Sequence, residues 1–341
     1  MAPNAYSAAR LLGENLMPIA YRRKIGRRFA RITCQLREWR AHGLWIAAVL
    51  LLIRAFSPLV ISAQTEAVTP APASPQVPVM EADPSAKFLE SGYRHLYELK
   101  FDDARLDFLS YQKARPDDPL GKASEAACYL FEQFHARGVL TSEFFVNDAT
   151  FLGGLSGTAE QNHNAGFVAA NSKAREQARA LLRSNPHDIH GLLALTIADG
   201  MESDYDAIVI KKQLPGLTMM RQAEADAKTL LAIDPTQQDA NVALGMSNYV
   251  IGSLPSYKRA FLWFGGLHGD KLRGMDQMGS AADHGHYLKP FAKVMLALAY
   301  EREKKPALAR TLLAELAVEF PTNAVFAREL TIVDKEACCN R

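Results

Sequence analysis

Between residues 87 and 336, hydrophobic positions recur at three- and four-residue spacing, and stretches that alternate apolar with polar residues are scarce. This periodicity predicts an all-α body. Its first unit is marked by Phe88, Gly92, Ala104 and Phe108, two large and two small residues, with Pro116 behind them. That order predicts a helix, a short turn and a second helix that stops ahead of the proline. The ending recurs along the chain. Pro186 follows Ala174 and Ala178, Pro235 follows Ala223 and Ala227, and Pro321 follows Ala309 and Leu313, all at the same offsets. Matching first helices carry Leu193-Ala194-Leu195, Ala243-Leu244-Gly245 and Leu296-Ala297-Leu298, the last with Tyr300 behind it. A further second helix near Asp270–Asp283 brings Gly274, Met278 and Ala281 but has no proline. The pattern predicts five helix pairs, over 85–118, 119–187, 188–237, 238–287 and 288–322, and a capping helix near Asn323–Lys335.

Phe88, Gly92, Ala104, Phe108 and Pro116 fall at relative positions 4, 8, 20, 24 and 32, and the segment thereby closely resembles a tetratricopeptide repeat. The resemblance implies a right-handed α-solenoid of about five pairs plus the cap, with Gly92 and Ala104 at the close crossing of helices A and B. It also implies a function: a non-enzymatic scaffold that holds a protein or peptide partner in its concave groove. The middle units depart from the family pattern. Successive prolines lie 70, 49 and 86 residues apart, the last interval spanning two units. The excess falls between helices A and B, at about 138–166, 204–215 and 252–268, and in this the chain is similar to exported bacterial repeat proteins. Three such insertions should lie side by side on one edge of a solenoid. The aromatic run Phe261, Trp263 and Phe264 sits in the third, either as a lid over the array or as a partner-docking element anchored by Trp263.

Charge separates the chain into two parts. Residues 1–63 hold ten Lys/Arg and two Asp/Glu, a net of +8, whereas the whole chain carries +2, so residues 64–341 carry −6. An acidic body argues against nucleic acid as a partner. The basic stretch from Arg22 to Arg40 precedes the apolar run Gly43–Ile53, and Ile61-Ser62-Ala63 offers a small-residue exit. Residues 1–63 therefore read as a secretory signal, or as a signal-anchor with its basic side in the cytoplasm. Residues 64–86 hold five prolines and read as an extended linker. The repeat domain follows at 87–336, then a short tail at 337–341. The expected location is the periplasm or cell envelope, free or anchored in the inner membrane.

Candidate chemistry is sparse. His268, His284 and His286 share one unit and offer an alternative reading as a metal-dependent binder or enzyme; against it, His284 and His286 suit a helix C-terminus. Asp199, Glu202, Asp204 and Asp206 lie where a first helix meets its insertion, and read as a solvated loop. Cys128 reads as a small core residue, while Cys338 and Cys339 are adjacent in the tail and Cys34 lies in the signal. The sequence contains no Gly-x-Ser-x-Gly, phosphate loop, His-Glu-x-x-His or dinucleotide fingerprint. Neither enzymatic activity nor a cofactor or metal is expected.

Overall fold

The computed structural model describes residues 83–147, 161–264 and 268–339. Residues 1–82, on which the expected signal and nearly all of the expected linker fall, lie outside the described residues. The chain divides into two compact units, and the second, Val79–Arg341, holds every helix described below. In order they are α1 (Ala86–Tyr97), α2 (Phe101–Ala114), α3 (Pro119–Ala136), α4 (Ser142–Val146), α5 (Gln161–Ser184), α6 (Ile189–Asp204), α7 (Gln213–Ile233), α8 (Asn241–Ser253), α9 (Ser256–Phe264), α10 (Lys271–His284), α11 (Lys289–Arg302), α12 (Pro306–Glu319) and α13 (Ala324–Cys339). No strand occurs among the described residues. The pairs α1/α2, α3/α5, α6/α7, α8/α10 and α11/α12 fall within the five predicted windows, and α13 is the cap. That cap runs through Cys339, beyond its expected end at Lys335.

Small residues make each crossing possible. Ala104, Ala174, Ala178, Ala223, Ala227, Ala297 and Ala309 are buried where helices meet, and Phe88 and Tyr300 pack beside them. A Cβ on Gly92 would lie 2.3 Å from the ring of Phe108. Between α8 and α10 the backbones themselves touch: a Cβ on Gly274 would stand 2.5 Å from the Tyr249 nitrogen and 2.7 Å from the Gly245 carbonyl. Only glycine fits such an approach.

The turns are repeated devices. At the second-to-first-helix junctions, Arg115, Asn185, Asp234 and Phe320 each precede a proline. The N–H three residues on, from Asp118, Asp188, Gln237 and Asn323, donates back to their carbonyls. Asp118 and Asp188 then cap α3 and α6, accepting from the N–H groups of Leu120 and Gly191 at 2.9 Å. The junction after α10 has no proline, and a buried carboxylate holds it instead. Asp239 accepts the N–H groups of His286, Tyr287 and Leu288 at 2.8, 2.9 and 3.1 Å. Burial raises its pKa, and the three donors oppose that rise.

The array then returns on itself. The ring of Tyr93 in α1 stacks on Tyr287 at 5.0 Å, and the Tyr97 hydroxyl donates to the Tyr287 carbonyl at 2.9 Å. Asn323 Nδ2 donates to the Tyr97 carbonyl at 2.7 Å, and Tyr97 meets the ring of Phe320 at 5.6 Å. Elsewhere across the array, Phe131 of α3 packs edge-on against Phe291 of α11 at 5.5 Å. One core cluster consequently reaches from Leu89 to Phe326. First helices are buried nearly all round, Gly191–Asp199 in α6 and Met295–Ala299 in α11. The expected concave groove is therefore filled by these helices' own side chains, because their aromatic residues meet across it.

The insertions also depart from expectation. The first carries α4, which reaches the far end of the array: Arg302 Nη1 donates to the Phe145 carbonyl at 2.6 Å, and Ser142 Oγ donates to Glu329 of α13 at 2.5 Å. The second is absorbed into a single π-helical turn, Tyr205–Val209, between α6 and α7. The third folds as α9. The expected continuous edge would include residues 148–160 and 265–267, which lie outside the described residues.

Candidate functional site

A concavity lies where the first three pairs meet. It is a cleft of 380 Å³ between the end of α2, the Pro116 turn, Leu181 of α5 and the start of α6. Asp118, buried at its base, carries more than a cap. Its second oxygen accepts the Tyr111 hydroxyl at 2.7 Å and meets Nδ1 of His190 at 2.5 Å. Burial alone would raise this carboxyl, but hydrogen bonds from His190, Tyr111 and the Leu120 N–H hold it below its ordinary value. The same bond raises the pKa of His190, although partial burial pulls the other way. His190 is half exposed and looks into a cleft whose other polar members are Arg115, Asp117 and Asp188. Arg115 is drawn toward Asp83 at 2.7 Å, which leaves the aspartates as the cleft's main charges. Gln177 Nε2, donating to the Pro116 carbonyl at 2.8 Å, ties α5 to the same turn.

Such an arrangement can hold an organic cation, an ammonium or a guanidinium. It brings together an imidazole and three carboxylates on rigid helix ends, with Asp118 supported from below. The sequence marked Pro116 and Pro186 as helix stops and missed the cleft they build. The one available signal was that each proline is followed two residues later by an aspartate.

The structure places the other candidates apart. His286 Nε2 lies 3.8 Å from Glu90 of α1, and its ring packs on Tyr287 at 4.3 Å. His268 meets the edge of Trp263 at 6.1 Å, and His284 is exposed at the end of α10. No group of three metal-ligating side chains converges among the described residues. The acidic cluster is not a solvated loop. Asp199 is buried on α6 and pairs with Arg175 Nε at 2.6 Å, while Glu202 accepts from Asn171 at 2.8 Å. Burial raises Asp199, and it pushes Asp204 up to about 7. Near them, burial and the Asp199 charge push Asp226 up to about 6. Cys128 is buried, its thiol pushed up to about 12 by burial. Trp263 is 59% exposed, so it is no lid. The side chains of Phe261, Phe264, Cys338 and Cys339 lie outside the described residues.

Helix pairs closed by alanine and glycine crossings and joined by proline turns decide the architecture. The body is an all-α array of helix pairs. No family model matches the chain. No curated protein matches it either. Among solved structures, the crystal structure of a thermophilic TPR protein of Thermus thermophilus is similar at 14% identity and a TM-score of 0.40, covering 73% of this chain and 98% of that one. Within this array no described helix is long and apolar enough to cross a membrane.

Proposed function

We propose that the protein is a non-enzymatic scaffold, exported to the cell envelope, that binds a protein or peptide partner at the cleft around His190. The observation that carries the reading is the position of that cleft. It spans three successive units, so its polar groups are fixed relative to one another by the packing of the array. With the inner groove filled, the array offers partners its turns and outer faces. The cleft's aspartates suit a lysine or arginine side chain of the partner, held as a charge-assisted hydrogen bond. Export rests on the basic stretch and apolar run of residues 1–63.

The test is site-specific photocrosslinking of the full chain in cells, with the reactive side chain at Asp117 and, as control, at Val318 on the outer face of α12. The expected result is a discrete protein adduct from position 117 that is absent from position 318 and lost when Asp188 is replaced by Lys. Identical adducts from both positions, or none from 117, would overturn it. Fractionation of the same cells tests export: protein confined to the cytoplasm with its N-terminus intact would overturn that part.

A further inference from the structure

The third insertion gives the array a feature its fold does not require. Leu254 is extended, Pro255 follows, and α9 starts at once, so the chain leaves α8 sharply and forms a separate two-and-a-half-turn helix. Arg259 Nη1 donates to the Gly252 carbonyl at 3.4 Å, and Leu262 is half-buried. Tyr257, Ala260 and Trp263 stand at i, i+3 and i+6, on a common side of the helix, and all three are exposed. Tyr257 is 72% and Trp263 59% exposed, and Leu272, in the first turn of α10, is 65% exposed. Single exposed apolar residues are ordinary on any surface. Here three large ones fall within sixteen residues, two of them the aromatic types that combine an apolar body with a polar tip.

Charge distinguishes what could cover them. Residues 254–273 contain Lys258, Arg259, Lys271 and Arg273 against a single acid, Asp270, for a net of +3. Since residues 64–341 carry −6, the rest of that body carries −9. Asp270 is already engaged as the cap of α10, accepting from the N–H groups of Leu272 and Arg273 at 2.9 and 3.2 Å. Lys271 is balanced by Glu303 at 2.6 Å, which leaves the exposed Arg259 and Arg273 to set the local sign. A two-fold contact between copies of this chain would set that positive patch against itself. An anionic surface neutralises it while taking up the aromatic rings.

We infer that the outward side of α9, with Leu272, seats on the headgroup region of an anionic lipid bilayer, so that the scaffold lies against a membrane by this edge. A short helix with aromatic side chains toward the acyl boundary and flanking Arg and Lys at headgroup level meets the physical requirements for interfacial binding. The inference is independent of the cleft around His190.

Trp263 itself supplies the readout. In the full chain carrying Trp39→Phe and Trp45→Phe, Trp263 is the only tryptophan, so its emission reports α9 whatever the N-terminal segment does. Vesicles containing phosphatidylglycerol should shift that emission to shorter wavelength, and brominated acyl chains should quench it. Vesicles of phosphatidylcholine alone should do neither. Arg273→Glu, at an exposed position, should weaken the response at least about fivefold, the equivalent of ~1 kcal/mol for one basic residue near an anionic surface. Raising the salt concentration should weaken it as well, with no substitution that could disturb folding. Emission that stays unshifted while the chain floats with the vesicles would overturn the inference. So would an equal shift on both kinds of vesicle, or one that grows with protein concentration in the absence of lipid and so reports self-association.

Discussion

Asp239 is the residue on which the fourth junction turns, and its effect can be measured. Replacing it with Ala leaves three part-buried N–H groups without their acceptor, so Asp239→Ala should lower unfolding stability by roughly 2–3 kcal/mol. Asp239→Asn keeps one acceptor oxygen and should cost about half as much; denaturant midpoints of the two variants check the order. Nothing near Asp239 in the sequence announces this role, because its partners lie 47 to 49 residues away. The His190–Asp118 pair makes a second prediction at this scale. Asp118 is lowered, so its stabilising contribution is present above its ordinary value of 3.8 and is lost as pH falls through the folded value. His190 is raised, so its contribution is present below its ordinary 6.5 and is lost as pH rises through its higher folded value. The pair is worth most between those limits. His190→Gln should therefore lower the melting temperature at about pH 5.5 and change it little at about pH 8.5; equal losses at both would contradict the ionic pairing.

At the scale of the element, one helix makes a paired test. In α10, a Cβ at Gly274 runs into the backbone of α8, whereas one at Gly279 meets nothing closer than Leu296 at 4.0 Å. Gly274→Ala should destabilise by more than about 2 kcal/mol, since neither backbone can give way. Gly279→Ala should stabilise by up to about 0.8 kcal/mol through helix propensity alone. Thermal melts of the two side by side check both signs. These helices were legible because their signals are local: small residues at fixed offsets, then a proline. The ends of the first helices were less so. The α1 and α11 turns place Leu99 and Lys304 at φ 61° and 58°, where no glycine stands to signal a turn. The insertions were legible only as extra length. Where α4 goes depends on Glu329, 187 residues from Ser142, and the acidic run became a buried ion pair because Arg175 arrives from another helix.

Closure belongs to the whole molecule. In an open solenoid each unit touches only its neighbours, and damage at one end stays there. Here α1 leans on Tyr287, Phe320 and Asn323. Ending the chain after Glu319 should therefore speed amide exchange in α1 and α2 as well as in α11 and α12, and leave one broadened transition in place of a cooperative one. Exchange confined to the last pair would mean that the ends are energetically separate. The same closure sets a delay during synthesis. Tyr97 and its partner Asn323 are 226 residues apart, and ribosomes add about 5–20 residues per second, so α1 waits on the order of ten to forty-five seconds for the helices that cover it. Throughout that interval the nascent chain displays Tyr93 and Tyr97 without Tyr287, Phe320 and Asn323 to cover them. The first pair is thus the grip that a holding factor would find on the growing polypeptide, and it disappears when the last pair docks.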